Sequence, residues 1–309
     1  MMTNFINLTE FTSKQLGLLI DRAITDKALW KAGRLPRTLA GKTLAMIFEK
    51  PSLRTRVSFE TAMTDLDGHG IYLTKADIGL GSREDVRDIA RVLGRMCDGI
   101  MARTFSHEFV EMLGRFANVP VINALTDYSH PCQAMADLMT LKETFGELHG
   151  RTLAFIGDGN NVARSLARAC SKLGVKFILA CPSGYELNCT FVESVRADAG
   201  QEGYTEINDP AAAVVTADVL YTDTWVSMGQ ESEKNDRVKD FKGFQVNAQL
   251  LAGAPKHAVV MHCLPAYRGF EISDETMEAH ANTIFEEAEN RLHFQRTLLS
   301  ILMGEGGIE

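Results

Sequence analysis

The sequence predicts an α/β fold: two doubly wound domains, each a mainly parallel sheet with helices on both faces, joined by two interdomain helices. Three observations carry this. The chain has 309 residues, more than one hydrophobic core usually organises, so two domains are expected. Short apolar runs alternate with helical apolar spacing along nearly the whole length, the pattern of parallel strands linked through helices. The unusual polar clusters nearly all follow an apolar run: Ser52 after Phe48, Arg103 after Ala102, His130 after Ala124, Asn160 and Asn161 after Ile156, Asp223 after Tyr221, and Cys263 after Met261. Ligands bind outside the carboxyl ends of the strands in an open parallel sheet, so two such sheets facing each other would gather these clusters round one cleft.

Thr12 and Gln15 form a capping box ahead of Leu16, Leu19, Ile20 and Ala23, which predicts a first helix running towards Ala32. The run Thr43 to Phe48 reads as a strand halted by Pro51. Ser52 is then a good N-cap for a helix whose apolar face is Phe59, Ala62, Met63 and Leu66, stopped by Gly68. A short strand, Ile71 to Leu73, leads into a glycine-containing loop, Ala76 to Ser82, and a helix carrying Val86, Ile89, Ala90, Leu93 and Met96. Next come an apolar run Gly99 to Ala102 ending in Arg103, a helix with Phe109, Met112, Leu113 and Phe116, and a strand Pro120 to Ala124.

Asp127 to Gln133 opens a long helix with Met135, Leu138, Met139 and Leu141 apolar, ending near Phe145 and Gly146, which reads as the bridge between domains. A second series follows, with strands Thr152 to Ile156, Val175 to Ala180, Val219 to Thr222, Ala258 to His262 and Thr283 to Phe285. Its helices are Val162 to Leu173, closed by Gly174, and Thr190 to Ala199. The last helix, Asn290 to Met303, is expected to pack back on the first half. The domains are therefore placed at 1–130, completed by 290–309, and at 151–289, with 131–150 between them.

Hydrophobic residues make up 45% and charged residues 23% of the chain, ordinary for a globular protein, and a net charge of −8 argues against a general nucleic-acid binder. Any basic site must be local. The six cysteines, Cys97, Cys132, Cys170, Cys181, Cys189 and Cys263, form no Cys-x-x-Cys pair, so neither zinc nor a disulfide framework is expected and a reducing compartment fits best. Met1 to Glu10 lacks a basic-then-apolar signal and no apolar run could span a bilayer, which predicts a cytoplasmic protein with no membrane partner.

Ser52, Leu53, Arg54, Thr55 and Arg56 open a helix, where unpaired N–H groups and two guanidiniums attract an anion. With Arg103 added, the site suits a phosphorylated substrate: Arg54 and Arg103 can grip oxygens bidentately, and Thr55 can donate to a neighbouring carbonyl oxygen. The same residues would also serve an ordinary capped helix with exposed arginines. His130 and Gln133 put an imidazole and an amide at a loop-to-helix turn. The first can donate to a carbonyl oxygen and the second can accept from an amide, which fits a carbamoyl group, although a capping histidine would look the same.

Gly157 to Asn161 resembles a dinucleotide fingerprint, yet Val162 stands where the third glycine is expected and no acidic residue clearly ends the next strand. The asparagine pair offers donors for a carboxylate instead. Asp223 and Ser227, followed by the turn at Met228 and Gly229, could hold an ammonium; a capping aspartate on a surface loop is the plainer alternative. His262 and Cys263 are too close in sequence for both to ligate one metal, and a buried thiol at a strand end is common. Arg291 adds a cation at the start of the last helix, where it could equally pair with Glu287 or Glu289.

Taken in this order, the clusters make the chain resemble the aspartate/ornithine carbamoyltransferase family, essentially from end to end. The segment Ser52 to Arg56, Arg103, and His130-Pro131-Cys132-Gln133 look like the family's carbamoyl phosphate site. Asp223 with Ser227-Met228-Gly229, and His262-Cys263-Leu264-Pro265, are similar to its ornithine branch; aspartate enzymes typically carry proline where Cys263 stands. The resemblance implies transfer of the carbamoyl group of carbamoyl phosphate to the δ-amine of L-ornithine, giving L-citrulline and phosphate. It implies no cofactor, no metal and a homotrimer or a multiple of it.

By that resemblance Ser52, Arg54, Thr55 and Arg103 hold the phosphate, with Leu53 contributing its backbone N–H. Thr55, Arg103 and His130 reach the carbamoyl oxygen, and Gln133, the Leu264 backbone and Arg291 fix the carbamoyl amide. Asn161, Asp223, Ser227 and Met228 hold the α-carboxylate and α-amine of ornithine, while Cys263 borders the reacting amine. Arg103, His130 and Cys263 are thus the expected catalytic residues.

Two departures stand out. Many members have threonine where Leu53 stands, a lost hydroxyl worth ~1.5–3 kcal/mol if nothing replaces it. The loop near Gly79 also lacks the glutamine with which many ornithine enzymes reach a neighbouring subunit. Three other readings remain: a carbamoyltransferase with another amine acceptor, such as putrescine or an acylated ornithine; a nicotinamide-dependent dehydrogenase built on Gly157 to Asn161; and a binding or regulatory subunit that keeps the site without turnover.

Overall fold

A computed structural model describes residues 4–79, 84–227 and 229–304. The chain divides into two units, one formed by Met1–Met139 with Asn290–Glu309 and the other by Thr140–Glu289.

In the first unit, helix α1 (Ser13–Lys31) is opened by the Thr12–Gln15 capping box, and strand β1 (Thr43–Phe48) runs to helix α2 (Leu53–Asp65). Strand β2 (His69–Thr74), helix α3 (Lys75–Ile78) and helix α4 (Val86–Met96) follow. Then come strand β3 (Gly99–Arg103), helix α5 (His107–Phe116) and strand β4 (Val121–Leu125). The sheet order is β2-β1-β3-β4 and every pairing is parallel. Phe5 extends it by bridging Ile122 beside β4. The strands are apolar on both faces because both are covered, with Ala45, Ile47, Ile100 and Ala102 buried against Ile89, Val110 and Leu113. From β1 the chain moves to one side for β2 and to the other for β3, so the reversal point lies between β1 and β3, whose last residues Phe48 and Arg103 are paired. That is where an open sheet leaves a crevice.

Helix α6 (Pro131–Phe145) carries the chain into the second unit, so the division falls inside this helix. There, strand β5 (Thr152–Ile156), helix α7 (Asn161–Leu173), strand β6 (Lys176–Ala180), helix α8 (Cys189–Ala199) and strand β7 (Tyr204–Ile207) come first. Helix α9 (Pro210–Val214), strand β8 (Val219–Thr222), helix α10 (Lys234–Asp240) and helix α11 (Ala248–Leu251) follow, then strand β9 (Val259–His262) and helix α12 (Asp274–Ala279). The order β7-β6-β5-β8-β9 is again wholly parallel, with its reversal between β5 and β8. Helix α13 (Ala281–Met303) returns the chain to the first unit.

Three expectations are corrected. Thr283 to Phe285 is not a strand but the first turn of α13. Its buried positions, Ile284, Glu287, Arg291 and Phe294, recur every three or four residues, and because two of them are charged the helical face does not read as apolar. Strand β7 was not expected, since its polar Thr205 and Glu206 interrupt the apolar signal. The presumed loop after β2 begins as a helical turn, α3, capped by Thr74 and Asp77; its remainder, residues 80–83, lies outside the described residues.

Candidate functional site

In the first unit, the β1–α2 junction carries the candidate anion site. The Ser52 hydroxyl accepts the Thr55 N–H at 3.3 Å as N-cap and donates to the Thr55 hydroxyl at 3.1 Å. Leu53, the first helical residue, is 76% exposed and offers only backbone there. Thr55 is fully buried, and two guanidiniums converge on its hydroxyl: Nη2 of Arg291 at 2.9 Å and Nη1 of Arg103 at 3.5 Å. Arg103 closes β3 and Arg291 comes from α13, so three elements meet at one oxygen.

His130 immediately precedes α6 and is buried. Burial, and then the charges of Arg291, Arg103 and Arg54, hold its pKa well below the usual imidazole value, so it is neutral. A neutral imidazole beside three cations can donate one N–H to a carbonyl oxygen without titrating near pH 7. Gln133 gives its Nε2 to Asp137 at 2.7 Å, which turns its carbonyl end away from that carboxylate. Ser52, Arg54, Thr55, Arg103, His130, Gln133 and Arg291 thus all belong to the first unit.

Sequence reasoning missed the tethers beside this site. Lys50 is buried, pairs with Asp127 and lies 3.9 Å over the Phe105 ring, while Glu49 accepts the Phe105 N–H at 3.0 Å. Their place directly after β1 was the available signal.

In the second unit, the loops after β5, β8 and β9 carry the other residues. Asp223 is buried at the end of β8. One of its oxygens accepts the Thr224 N–H at 2.7 Å and the Cys263 thiol at 3.1 Å, and the other accepts Nδ2 of Asn160 at 2.8 Å. Asn161 is the first residue of α7, and the Ser227 N–H donates to Gln230 at 3.1 Å in a tight turn. Met228 lies outside the described residues.

His262 is completely buried: Nδ1 accepts the Leu264 N–H at 2.9 Å, so Nε2 bears the proton and donates to Glu271 at 3.0 Å. This holds Leu264 at a positive φ of 57°, next to a cis bond to Pro265. Glu287 accepts the His262 N–H and the Tyr221 hydroxyl at 2.8 and 3.1 Å. Contrary to expectation, their closeness in sequence does not keep His262 and Cys263 from a shared metal: ligand atoms of Asp223, His262 and Cys263 lie within 4.8 Å of one another, and each takes part in the hydrogen bonds just given. Glu271 was not singled out from the sequence.

The second glycine of the β5–α7 turn is explained by packing, and the first, Gly157, by its positive φ of 153°. A Cβ on Gly159 would lie 2.6 Å from the Tyr185 carbonyl oxygen, so the residue must be glycine without any pyrophosphate to accommodate. Behind this turn, Arg237 is buried and donates to Asp158 at 2.8 Å and to the Trp225 carbonyl at 3.1 Å, tying α10 to the loops that carry Asn160 and Ser227.

Comparison with known proteins identifies the family. The sequence profile described as the aspartate/ornithine carbamoyltransferase carbamoyl-P binding domain matches residues 3–143, and the Asp/Orn binding domain of the same family matches residues 149–302. The ornithine carbamoyltransferase of Methanosarcina mazei is 47% identical over 303 residues, 98% of this chain and 100% of its own. The crystal structure of ornithine carbamoyltransferase from Thermus thermophilus covers 98% of this chain and 99% of its own at 41% identity, with a TM-score of 0.88. The ornithine carbamoyltransferase structure from Pyrococcus furiosus superposes with a TM-score of 0.94 at 45% identity, covering 99% and 98% of the two chains. With both halves matched, by a carbamoyl-P binding and an Asp/Orn binding profile, the chain belongs to the aspartate/ornithine carbamoyltransferase family.

Proposed function

We propose that the chain transfers the carbamoyl group of carbamoyl phosphate to the δ-amine of L-ornithine, releasing L-citrulline and phosphate. The observation that carries the acceptor is the Cys263 thiol on the Asp223 carboxylate at 3.1 Å, at the carboxyl ends of neighbouring strands. It supplies a negative charge for an ammonium beside a thiol that borders the reacting amine.

The first unit takes carbamoyl phosphate. Ser52, Arg54, Thr55, Arg103 and the N–H groups opening α2, including that of Leu53, receive the phosphate. Gln133 and Arg291 hold the carbamoyl amide end. The second unit takes ornithine through Asn161, Asp223, Ser227 and Met228. The neutral δ-amine attacks the carbonyl carbon, and a C–N bond forms as the carbonyl oxygen gains negative charge under Arg103, His130 and Thr55. The C–O bond to phosphate then breaks as the proton of the new C–N nitrogen passes to the departing oxygen, so phosphate leaves as the hydrogen phosphate dianion on the guanidiniums. An alkyl ammonium titrates near ~10.4, so about one amine in a thousand or fewer is free at neutral pH. Activity therefore rises on the alkaline side.

Citrulline formation tests this directly. L-Ornithine should be carbamoylated, while putrescine and N-acetylornithine, which lack the free α-amino acid that Asn161, Asp223 and Ser227 are fitted to, should be poor acceptors. Faster turnover of either amine would overturn the assignment. Six free thiols fit a reducing compartment such as the cytoplasm. A homotrimer is the assembly that the resemblance implies, and the exposed Val57 and Met96, at 52% and 76%, give the first unit apolar surface to cover. Light scattering tests it. Among the described residues, no helix is long and apolar enough to cross a membrane.

A further inference from the structure

The geometry points to Asn160 as a positioning residue for the amino-acid substrate: it holds the Asp223 carboxylate in the orientation that receives the α-amine. This deepens the reading of Asp223 given above and rests on it. Asn160 is the N-cap of α7, and its Oδ1 accepts the N–H groups of Val162 and Ala163 at 2.9 and 3.0 Å. Those two bonds decide which end of the amide is which, because only the oxygen can cap. Nδ2 must then face Asp223, and it lies 2.8 Å from Oδ2.

Asp223 is therefore held at both oxygens. Thr224 N–H and the Cys263 thiol fix Oδ1 at 2.7 and 3.1 Å, and Asn160 fixes Oδ2. Asn160 is itself braced: its N–H donates to the Asp158 carbonyl at 2.7 Å, and the preceding Gly159 N–H donates to Tyr185 at 2.8 Å. The chain of contacts runs from the amide groups that open α7, through one side chain, to the carboxylate at the end of β8.

A helix cap alone does not need asparagine here. Aspartate and serine cap about as well, but neither can donate an amide N–H to Asp223: aspartate would set a second carboxylate against it, and serine falls short. The two roles of Asn160 can thus be separated. Asn160→Asp and Asn160→Ser keep the cap and lose the donor.

The experiment is steady-state kinetics on both variants with each substrate varied in turn, alongside thermal melting. Asn160→Ser should melt close to the wild type and Asn160→Asp below it, because its carboxylate faces that of Asp223 at hydrogen-bond distance. The ornithine KM should rise about tenfold or more, most in Asn160→Asp, while the carbamoyl phosphate KM stays within about twofold, the loss expected of one charge-assisted bond. An unchanged ornithine KM in either folded variant, or equal increases for both substrates, overturns the assignment. Should Asn160→Asp fail to fold, Asn160→Ser decides alone. A wild-type protein that makes no citrulline sinks the reading of Asp223; a wild type that makes it, with variants of normal ornithine KM, sinks only the role of Asn160.

Discussion

Arg291 and Thr55, 236 residues apart in the chain, meet in the first unit with the guanidinium donating to the hydroxyl at 2.9 Å. Ser52 and Arg103 approach the same oxygen at 3.1 and 3.5 Å. A hydroxyl oxygen has two lone pairs, so three donors compete for it, and the long Arg103 contact is the one that a substrate oxygen replaces. Thr55→Val keeps the shape and removes the acceptor. Hydrogen bonds to charged groups are worth ~1.5–3 kcal/mol, so kcat/KM for carbamoyl phosphate should fall roughly 10- to 150-fold with the ornithine KM little changed. Full retention of kcat/KM would reduce Thr55 to a packing residue.

How much of this was legible in advance follows from where each residue sits. Ser52, Arg103, His130, Asp223 and Cys263 stand just after, or at the end of, apolar runs that are strands, and carboxyl strand ends are where parallel sheets bind ligands. Glu271 and Arg237 were not legible. Their partners His262 and Asp158 lie 9 and 79 residues away, and no local spacing announces such a pair. The start of α13 misled because its buried face carries Glu287 and Arg291, where an apolar stripe would have revealed a helix.

His130 makes stability depend on acidity. Its folded pKa lies well below the usual value because it is buried beside Arg291, Arg103 and Arg54. The unfolded chain therefore binds the proton first as pH falls; this contribution is complete above the unfolded value of ~6.5 and is lost as pH falls below it towards the depressed folded value. Urea denaturation at pH 7 and pH 5 should show a shallower acid loss for His130→Gln than for the wild type. Parallel losses would mean that the imidazole is protonated in the folded protein.

The thiols should differ sharply in reactivity. Burial pushes Cys132 and Cys181 up to about 12, and both are almost inaccessible, whereas Cys189 is exposed. At pH 8 only about one thiol in ten thousand would be ionised at Cys132 or Cys181. Iodoacetamide followed by mass spectrometry should find Cys189 modified in the native protein, and Cys132 and Cys181 modified only after unfolding.

Arg237 balances a buried carboxylate. Burial raises the pKa of Asp158 and the guanidinium 2.8 Å away opposes that rise, so Arg237→Met leaves an uncompensated charge at a cost of ~3–5 kcal/mol. The Asp158 pKa then climbs further. A carboxyl whose folded value exceeds its unfolded one favours folding at low pH and loses that advantage as pH rises. The variant should accordingly recover part of its stability between pH 7 and pH 5, and Asp158→Asn added to it should abolish the recovery.

Leu53 stands where the resemblance implies a threonine, and its position makes the effect of that change measurable without disturbing the core. The side chain is 76% exposed at the first position of α2, so Leu53→Thr buries nothing, breaks no helical bond and should leave the melting temperature almost unchanged. A threonine there would put a hydroxyl beside the N–H groups that open the helix, within the same turn as Ser52, which already caps it. If phosphate sits on that turn, one added donor to a dianion is worth ~1.5 kcal/mol at such an open site, and the KM for carbamoyl phosphate should drop about tenfold. Neither kcat nor the ornithine KM should follow. An unchanged KM would mean that the anion rests on Arg54, Arg103 and the backbone without reaching the first helical side chain.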